Sequence, residues 1–219
     1  MKKLLLISAL ATFCAGASAT SLTVSVVDKE GKPVPDAVVV LRPANKTELP
    51  ASPLPAQASI VQEKMQFIPR VTLVPVGARV SFINNDPWDH HVRSSAAGLG
   101  QFNATNIGFE LRLEGKSEGK LPKSTDITLD KAGVVDAMLL GCFIHGSMRG
   151  YVYVSDSPWA AKTSADGLAV FNDLPEGVTQ VKVWQADQLV DLPPQTYTVT
   201  ALPGKLGVQL SVVPRRRRV

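Results

Sequence analysis

Short stretches in which apolar and polar residues alternate one by one dominate this chain, and they confine it to β-structure. Leu22, Val24 and Val26 alternate with polar neighbours, as do Phe109, Leu111 and Leu113, and then Ile127 and Leu129. A period of two puts the apolar side chains of a strand on one face. Further strands are predicted at 38–41, 71–74, 80–83, 134–140, 151–154, 169–171, around Val181 and Val183, and at 197–200 and 207–213. Turn signals separate them: Asp28-Lys29-Glu30-Gly31, Ala165-Asp166-Gly167 and Leu174-Pro175-Glu176-Gly177. Residues 43–58, rich in Pro and Ala and without a period, read as a linker. No segment sustains a helical period, and no internal repeat is present. Many short strands with Gly/Pro turns predict an all-β fold built of sandwiches.

The first 19 residues stand apart. Lys2 and Lys3 precede an apolar run from Leu4 to Ala15, and Ala17-Ser18-Ala19 has the small residues of a cleavage site. This is the pattern of a secretory signal peptide, too short for a membrane span. The expectation is export, with cleavage near Ala19, to the periplasm or beyond, and no transmembrane anchor. The whole chain has 23 Lys and Arg against 19 Asp and Glu, a net charge of +4. Two of those positive charges fall in the expected signal. Four more are Arg215, Arg216, Arg217 and Arg218 at the C-terminus, a solvated tail. The remaining body is slightly acidic, which argues against a nucleic-acid partner.

Export also changes what the cysteines mean. Cys14 leaves with the signal, so Cys142 becomes the sole thiol of an exported chain and has no internal disulfide partner. Its surroundings are Gly141-Cys142-Phe143-Ile144-His145-Gly146-Ser147-Met148-Arg149-Gly150. A thiolate, an imidazole and a thioether thus stand at i, i+3 and i+6 in one loop between two strands. Soft sulfur with imidazole suits copper, and two His, one Cys and a weak axial Met form the blue-copper set. Zinc is the rival metal, since Cys and His suit it also; the thioether favours copper. The chain has three His in all, and the other two are adjacent, His90 and His91. In an extended segment His90 shares a face with Val92, and His91 with Arg93. The Val92 face should point inward, which makes His90 the ligand and His91 its more exposed neighbour. The candidate metal site is therefore His90, Cys142, His145 and Met148, holding one copper ion. Phe143, Ile144 and Met138 are candidates for the apolar shell around it. Asp86 and Asp89 lie near the His pair and could tune it, but read first as turn residues. Trp88, Trp159 and Trp184 read as core or interface aromatics. No Ser/His/Asp set, paired carboxylates or phosphate loop points to a catalytic site, so the chain is not expected to be an enzyme.

Residues 66–154 resemble a cupredoxin of the plastocyanin type. The resemblance rests on Gln66-Phe67-Ile68-Pro69, Val74-Pro75-Val76-Gly77, the run from Val80 to Asp86, His90-x-Val92-x-Ser94 and Cys142-x-Ile144-His145-x-x-Met148. The chain is also similar to the bacterial cupredoxin-domain proteins often labelled methylamine utilization proteins. Those share the His-His-Val segment, Phe109-Glu110-Leu111, the run from Lys162 to Gly167, and the Leu-Pro-x-Gly and Val-Trp elements between Leu174 and Trp184. The chain departs from plastocyanins at His91, where they have Asn, and from the second group at Gln185, where they often have His.

The flanks, 20–43 and 155–213, resemble two parts of a carboxypeptidase-regulatory-like or transthyretin-like β-sandwich. Together the resemblances imply a Greek-key cupredoxin sandwich at 61–154 inserted into a second small sandwich. The latter's first part and linker would be 20–60, its second part 155–213, and the basic tail 214–219. Extra strands on one enlarged sandwich are the alternative. The implied function is a single-electron carrier that meets a redox protein such as a cytochrome or dehydrogenase, with the electron leaving through His145. A periplasmic copper carrier or store, or an open-site copper redox enzyme, would use the same residues.

Overall fold

The computed structural model describes residues 20–45, 50–98, 108–130 and 136–214. The expected signal peptide, the basic tail at 215–218 and the first residues of the strand predicted at 134–140 lie outside them. The described residues form sixteen strands and no α-helix, as the alternation demands. None of their helices is long and apolar enough to cross a membrane.

Four sheets make two sandwiches. One is built from both ends of the chain. Its three-stranded sheet has β1 (Ser21–Val27) at the centre, antiparallel to β13 (Leu168–Asn172) and parallel to β16 (Gly204–Gln209). Its four-stranded sheet runs β12 (Ala160–Lys162), β2 (Val38–Pro43), β14 (Gly177–Trp184), β15 (Gln195–Val199). Leu22, Val24 and Val26 from one sheet meet Val39, Leu41, Val181 and Val183 from the other in a closed core. The Asp28 carboxylate holds the first turn by accepting the amide hydrogens of Glu30 and Lys32.

The second sandwich is formed by the intervening chain. A four-stranded sheet runs β4 (Gln66–Ile68), β3 (Gln57–Glu63), β6 (Arg79–Asn84), β9 (Lys123–Thr128). A five-stranded sheet runs β5 (Val71–Pro75), β11 (Arg149–Ser155), β10 (Asp136–Cys142), β7 (His90–Ala96), β8 (Glu110–Leu113). Sequence neighbours β4 and β5 lie in different sheets, so the chain crosses the sandwich at Pro69 and Arg70. Phe67, Phe82, Ile60, Leu140, Val152 and Val154 fill the space between the sheets. Each fully buried side chain of this size contributes ~1.5–3 kcal/mol.

Strand β3 begins at Gln57, inside the stretch read as linker. Only its second half is buried, on alternate residues, so its pattern is too short to stand out. The β3–β4 turn is also unusual. Glu63 pairs with Gln66, leaving Lys64 and Met65 as a two-residue loop with φ of 50° and 56°. Both central residues of this tight hairpin take the left-handed region that glycine or asparagine usually occupies.

The sandwiches share a third core. Val71, Leu73, Tyr151 and Tyr153 of the second pack on Val38, Val40, Ala160 and Trp184 of the first. Trp184 lies 5.3 Å from the Tyr151 ring and 5.7 Å from that of Tyr153, edge-on or tilted to both. Ion pairs border this core: Arg70 donates to Asp187 at 2.6 and 3.2 Å, and Lys182 to Asp136 at 3.0 Å. The Tyr153 hydroxyl also donates to Asp136, and burial, aided by that carboxylate, keeps the phenol protonated far above its ordinary range. Trp159 and Trp184 are buried as expected, but Trp88 is 43 % exposed and packs in no core.

Candidate metal centre

The site lies at one end of the second sandwich, where β7 and β10 run side by side. Cys142 closes β10 opposite Val92 of β7. The register and the pleat put His90, Val92 and Cys142 on the inner face. His91 and Arg93 point outward. The two segments are tied beyond the strand end, where the Phe143 amide donates to the His91 carbonyl at 2.8 Å. The chain then turns tightly, with the Met148 amide donating to the His145 carbonyl at 3.0 Å. Gly146 and Ser147 fill that turn, and it returns Met148 to the apolar core that also holds Cys142. His145 stays half-buried on the loop.

Three donor atoms converge here. Cys142 Sγ is 3.6 Å from His90 Nδ1 and 3.6 Å from His145 Nδ1, and the two nitrogens are 3.2 Å apart. Among the described residues this is the His/Cys/Asp/Glu group placed to hold a metal ion. Electrostatics explains what the triangle suits. Asp86 Oδ2 lies 2.9 Å from His90 Nε2. Burial alone would raise the Asp86 carboxyl's pKa, but the amides of Met65 and Lys64 and the His90 ring outweigh it and hold the pKa below its ordinary value. An ionised carboxylate only accepts, so a hydrogen bond at this contact would put the His90 proton on Nε2 and leave the Nδ1 lone pair facing inward. Two imidazole nitrogens and a sulfur facing one another at 3.2–3.6 Å form a donor set that a soft or borderline cation between them would satisfy. A point equidistant from the three atoms is about 2.0 Å from each, close to the ~2.0–2.3 Å at which imidazole nitrogen and thiolate sulfur bind such ions. The residues present therefore fit a metal ion.

Several residues stand elsewhere than the sequence suggested. Phe143 is 70 % exposed and Ile144 52 % exposed, so neither belongs to the shell around the site. They follow the last strand residue and point off the end of the sandwich. Phe143 instead lies 5.9 Å from the His91 ring, with the Arg93 guanidinium 5.3 Å from its centroid. Met138 is buried in the core with Cys142. His91 Nε2 meets Glu110 Oε1 at 2.5 Å on the outer face. Asp89 is held by distant groups rather than by a local turn: it accepts from the Gly115 amide and from Arg112, which keep its pKa low. Asp86 does more than turn the chain. Its place near the His pair marked it as a residue that could tune them, and its Oδ2 does meet His90 Nε2, four residues on.

No protein-family model matches this chain, and no curated protein does. Solved structures that resemble it include a Cu-containing nitrite reductase from Thermus scotoductus SA-01, with TM-score 0.35 and 22 % identity over 52 % of this chain. This chain spans 25 % of that reductase. The reduced state of an amicyanin mutant aligns with TM-score 0.31 and 23 % identity, over 52 % of this chain and 98 % of its own. A purple cupredoxin from Nitrosopumilus maritimus aligns with TM-score 0.31 and 18 % identity, over 45 % of this chain and 99 % of its own.

The two adjacent histidines give a direct test of the site. His90→Ala should abolish tight metal binding, because it removes one of three converging donors. His91→Ala should leave the metal bound, since His91 faces Glu110. Metal titration of the two variants checks this, and the opposite ranking would assign the ligand to His91.

Proposed function

We propose that this chain is an exported cupredoxin-type protein that holds one copper ion at His90, Cys142, His145 and Met148 and carries single electrons. The observation that carries the reading is the convergence of one thiolate and two imidazole nitrogens within 3.6 Å of one another. It occurs in a sandwich whose core also buries Met148. Copper bound there would supply a one-electron couple, and a thiolate with two imidazoles and a weak thioether suits both of its oxidation states. The chain's own part is rigidity. Cys142 and His90 stand on paired strands, and the tight turn after His145 fixes the loop. Little has to move when the charge on the ion changes. Half-buried His145, beside exposed Phe143 and Ile144, offers the electron a way out to a redox protein partner such as a cytochrome or dehydrogenase. The expected signal peptide places this activity in the periplasm or outside the cell. The link to methylamine utilization proteins is a family proposal, and so is the division at 61–154.

A purified sample should contain one copper per chain and show an intense visible thiolate-to-copper band. Met148→Gln separates the carrier from its rivals. A weak neutral sulfur donor favours Cu(I), so its loss should keep copper bound, shift the band and lower the reduction potential. Wild-type protein should not take up azide. Azide binding in the wild type, with an unchanged potential in Met148→Gln, would favour an open-site redox enzyme. A pale, readily exchanged Cu(I) centre would favour a copper carrier or store.

A further inference from the structure

Asp86 occupies a place that a turn residue does not need. It is 3 % exposed, and every polar atom of its backbone and side chain has a partner. Its amide donates to Asn84 Oδ1 at 3.0 Å, and its carbonyl accepts from the Lys116 amide at 2.8 Å. Its Oδ1 accepts the Lys64 amide at 2.6 Å, and its Oδ2 accepts the Met65 amide at 3.0 Å and faces His90 Nε2 at 2.9 Å. Two backbone N–H groups and the His90 ring nitrogen thus converge on two carboxylate oxygens. Two of them come from the β3–β4 turn, where Lys64 and Met65 both hold positive φ. Left-handed backbone at non-glycine residues costs energy and persists only where the surroundings hold it. Here two charge-assisted hydrogen bonds hold it, and the same turn fixes the carboxylate in return.

We infer that Asp86, clamped by the amides of Lys64 and Met65, is a positioning residue for the metal centre: it fixes the His90 tautomer, aims Nδ1 at Cys142 and His145, and biases the bound ion toward its higher oxidation state. The role at the ion rests on the copper reading above; the role at the ring does not. A carboxylate that accepts the far N–H of a ligating imidazole sets its orientation and makes it a better donor. A stronger donor stabilises Cu(II) more than Cu(I). The turn therefore acts on the centre through two hydrogen bonds in series, by way of its backbone amides and Asp86.

Asp86→Asn is the informative substitution, because it keeps the shape but offers one acceptor oxygen where three donors point. Nitrogen-15 NMR of the metal-free full-length chain reads the tautomer directly. Wild type should show His90 protonated on Nε2, and Asp86→Asn should show a mixture with Nδ1–H. In the copper-loaded proteins the Cu(II)/Cu(I) affinity ratio should fall about tenfold or more in Asp86→Asn. Each tenfold change raises the reduction potential by ~59 mV for a one-electron couple. Replacing both Lys64 by Asn and Met65 by Gly keeps the turn and its amides, and should change neither readout. His90 protonated on Nδ1 in metal-free wild type would overturn the inference, even if Asp86→Asn fails to fold. An unaltered tautomer and affinity ratio in a folded Asp86→Asn would overturn it equally. Wild-type protein that takes up no copper would remove the proposed function, and the positioning role would then stand or fall on the nitrogen spectra.

Discussion

Cys142→Ser is expected to abolish the intense visible band and to weaken copper binding by more than the ~100-fold that loss of a supporting partner costs. The thiolate is the one anionic donor in the triangle; the other two are neutral imidazole nitrogens. A serine hydroxyl stays protonated at neutral pH and is a hard, poor ligand for copper. The fold should survive, because serine is smaller and the strand pairing of β10 uses only backbone. Burying a hydroxyl in an apolar core would still cost ~1–3 kcal/mol. Metal analysis, visible spectra and denaturant unfolding of the same samples separate the two effects. An intense band retained in Cys142→Ser would remove the thiolate from the site, and the functional reading with it.

The largest loss of stability is expected at the junction of the sandwiches. Trp184→Ala should destabilise the chain by ~3–5 kcal/mol, the usual cost of truncating a buried large aromatic. Trp184 is almost completely buried and contacts both Tyr151 and Tyr153 across the shared core. Its loss should leave a cavity there and uncouple the two sandwiches. Denaturant unfolding is therefore expected to be a single transition in wild type and to separate into two in Trp184→Ala. Trp88→Ala, at a 43 % exposed position, should change stability by no more than ~0.5 kcal/mol. A loss below 1 kcal/mol in Trp184→Ala, with one transition retained, would show that the shared core does not couple the halves.

The strands that could be read from sequence are those with one dry face. β1 buries Leu22, Val24 and Val26 and turns Thr23 and Ser25 outward, so its period of two is plain. β9 gave a weaker signal because almost all of it, Lys123 to Asp126 included, is exposed, and its pairing with β6 is held by backbone hydrogen bonds and by Arg79 and Ser81 on Asp126. β12 has three residues, too few for any period. At the site, residue type and spacing picked out Cys142 and His145, which the structure brings together with His90, the histidine that strand alternation chose over His91; Met148 is buried in the same core. Hydrophobicity misled at Phe143 and Ile144, because apolar residues are also common on surfaces. Asp86 was legible as a neighbour that could tune the His pair, but its clamp was not. An aspartate before a proline is an ordinary turn signal, and the groups that bury it arrive from Lys64 and Met65, which are 22 and 21 residues away.

The pairing of β1 with β16 has a consequence for how this protein comes into being. Leu22 lies beside Gly204, so the strand made first finds one of its two neighbours only when nearly the whole chain has been made. Its other neighbour, β13, begins at Leu168. Until then β1 is an unsatisfied edge bearing three bare apolar side chains, the kind of surface on which unfolded chains stick to one another. The strands from β3 to β11 need no such wait, because every partner they have lies among themselves. The half that carries the candidate metal site can thus close while the first strand still hangs free. A long interval between the two events, such as slow threading across a membrane, leaves the beginning of the chain in need of a chaperone rather than its middle.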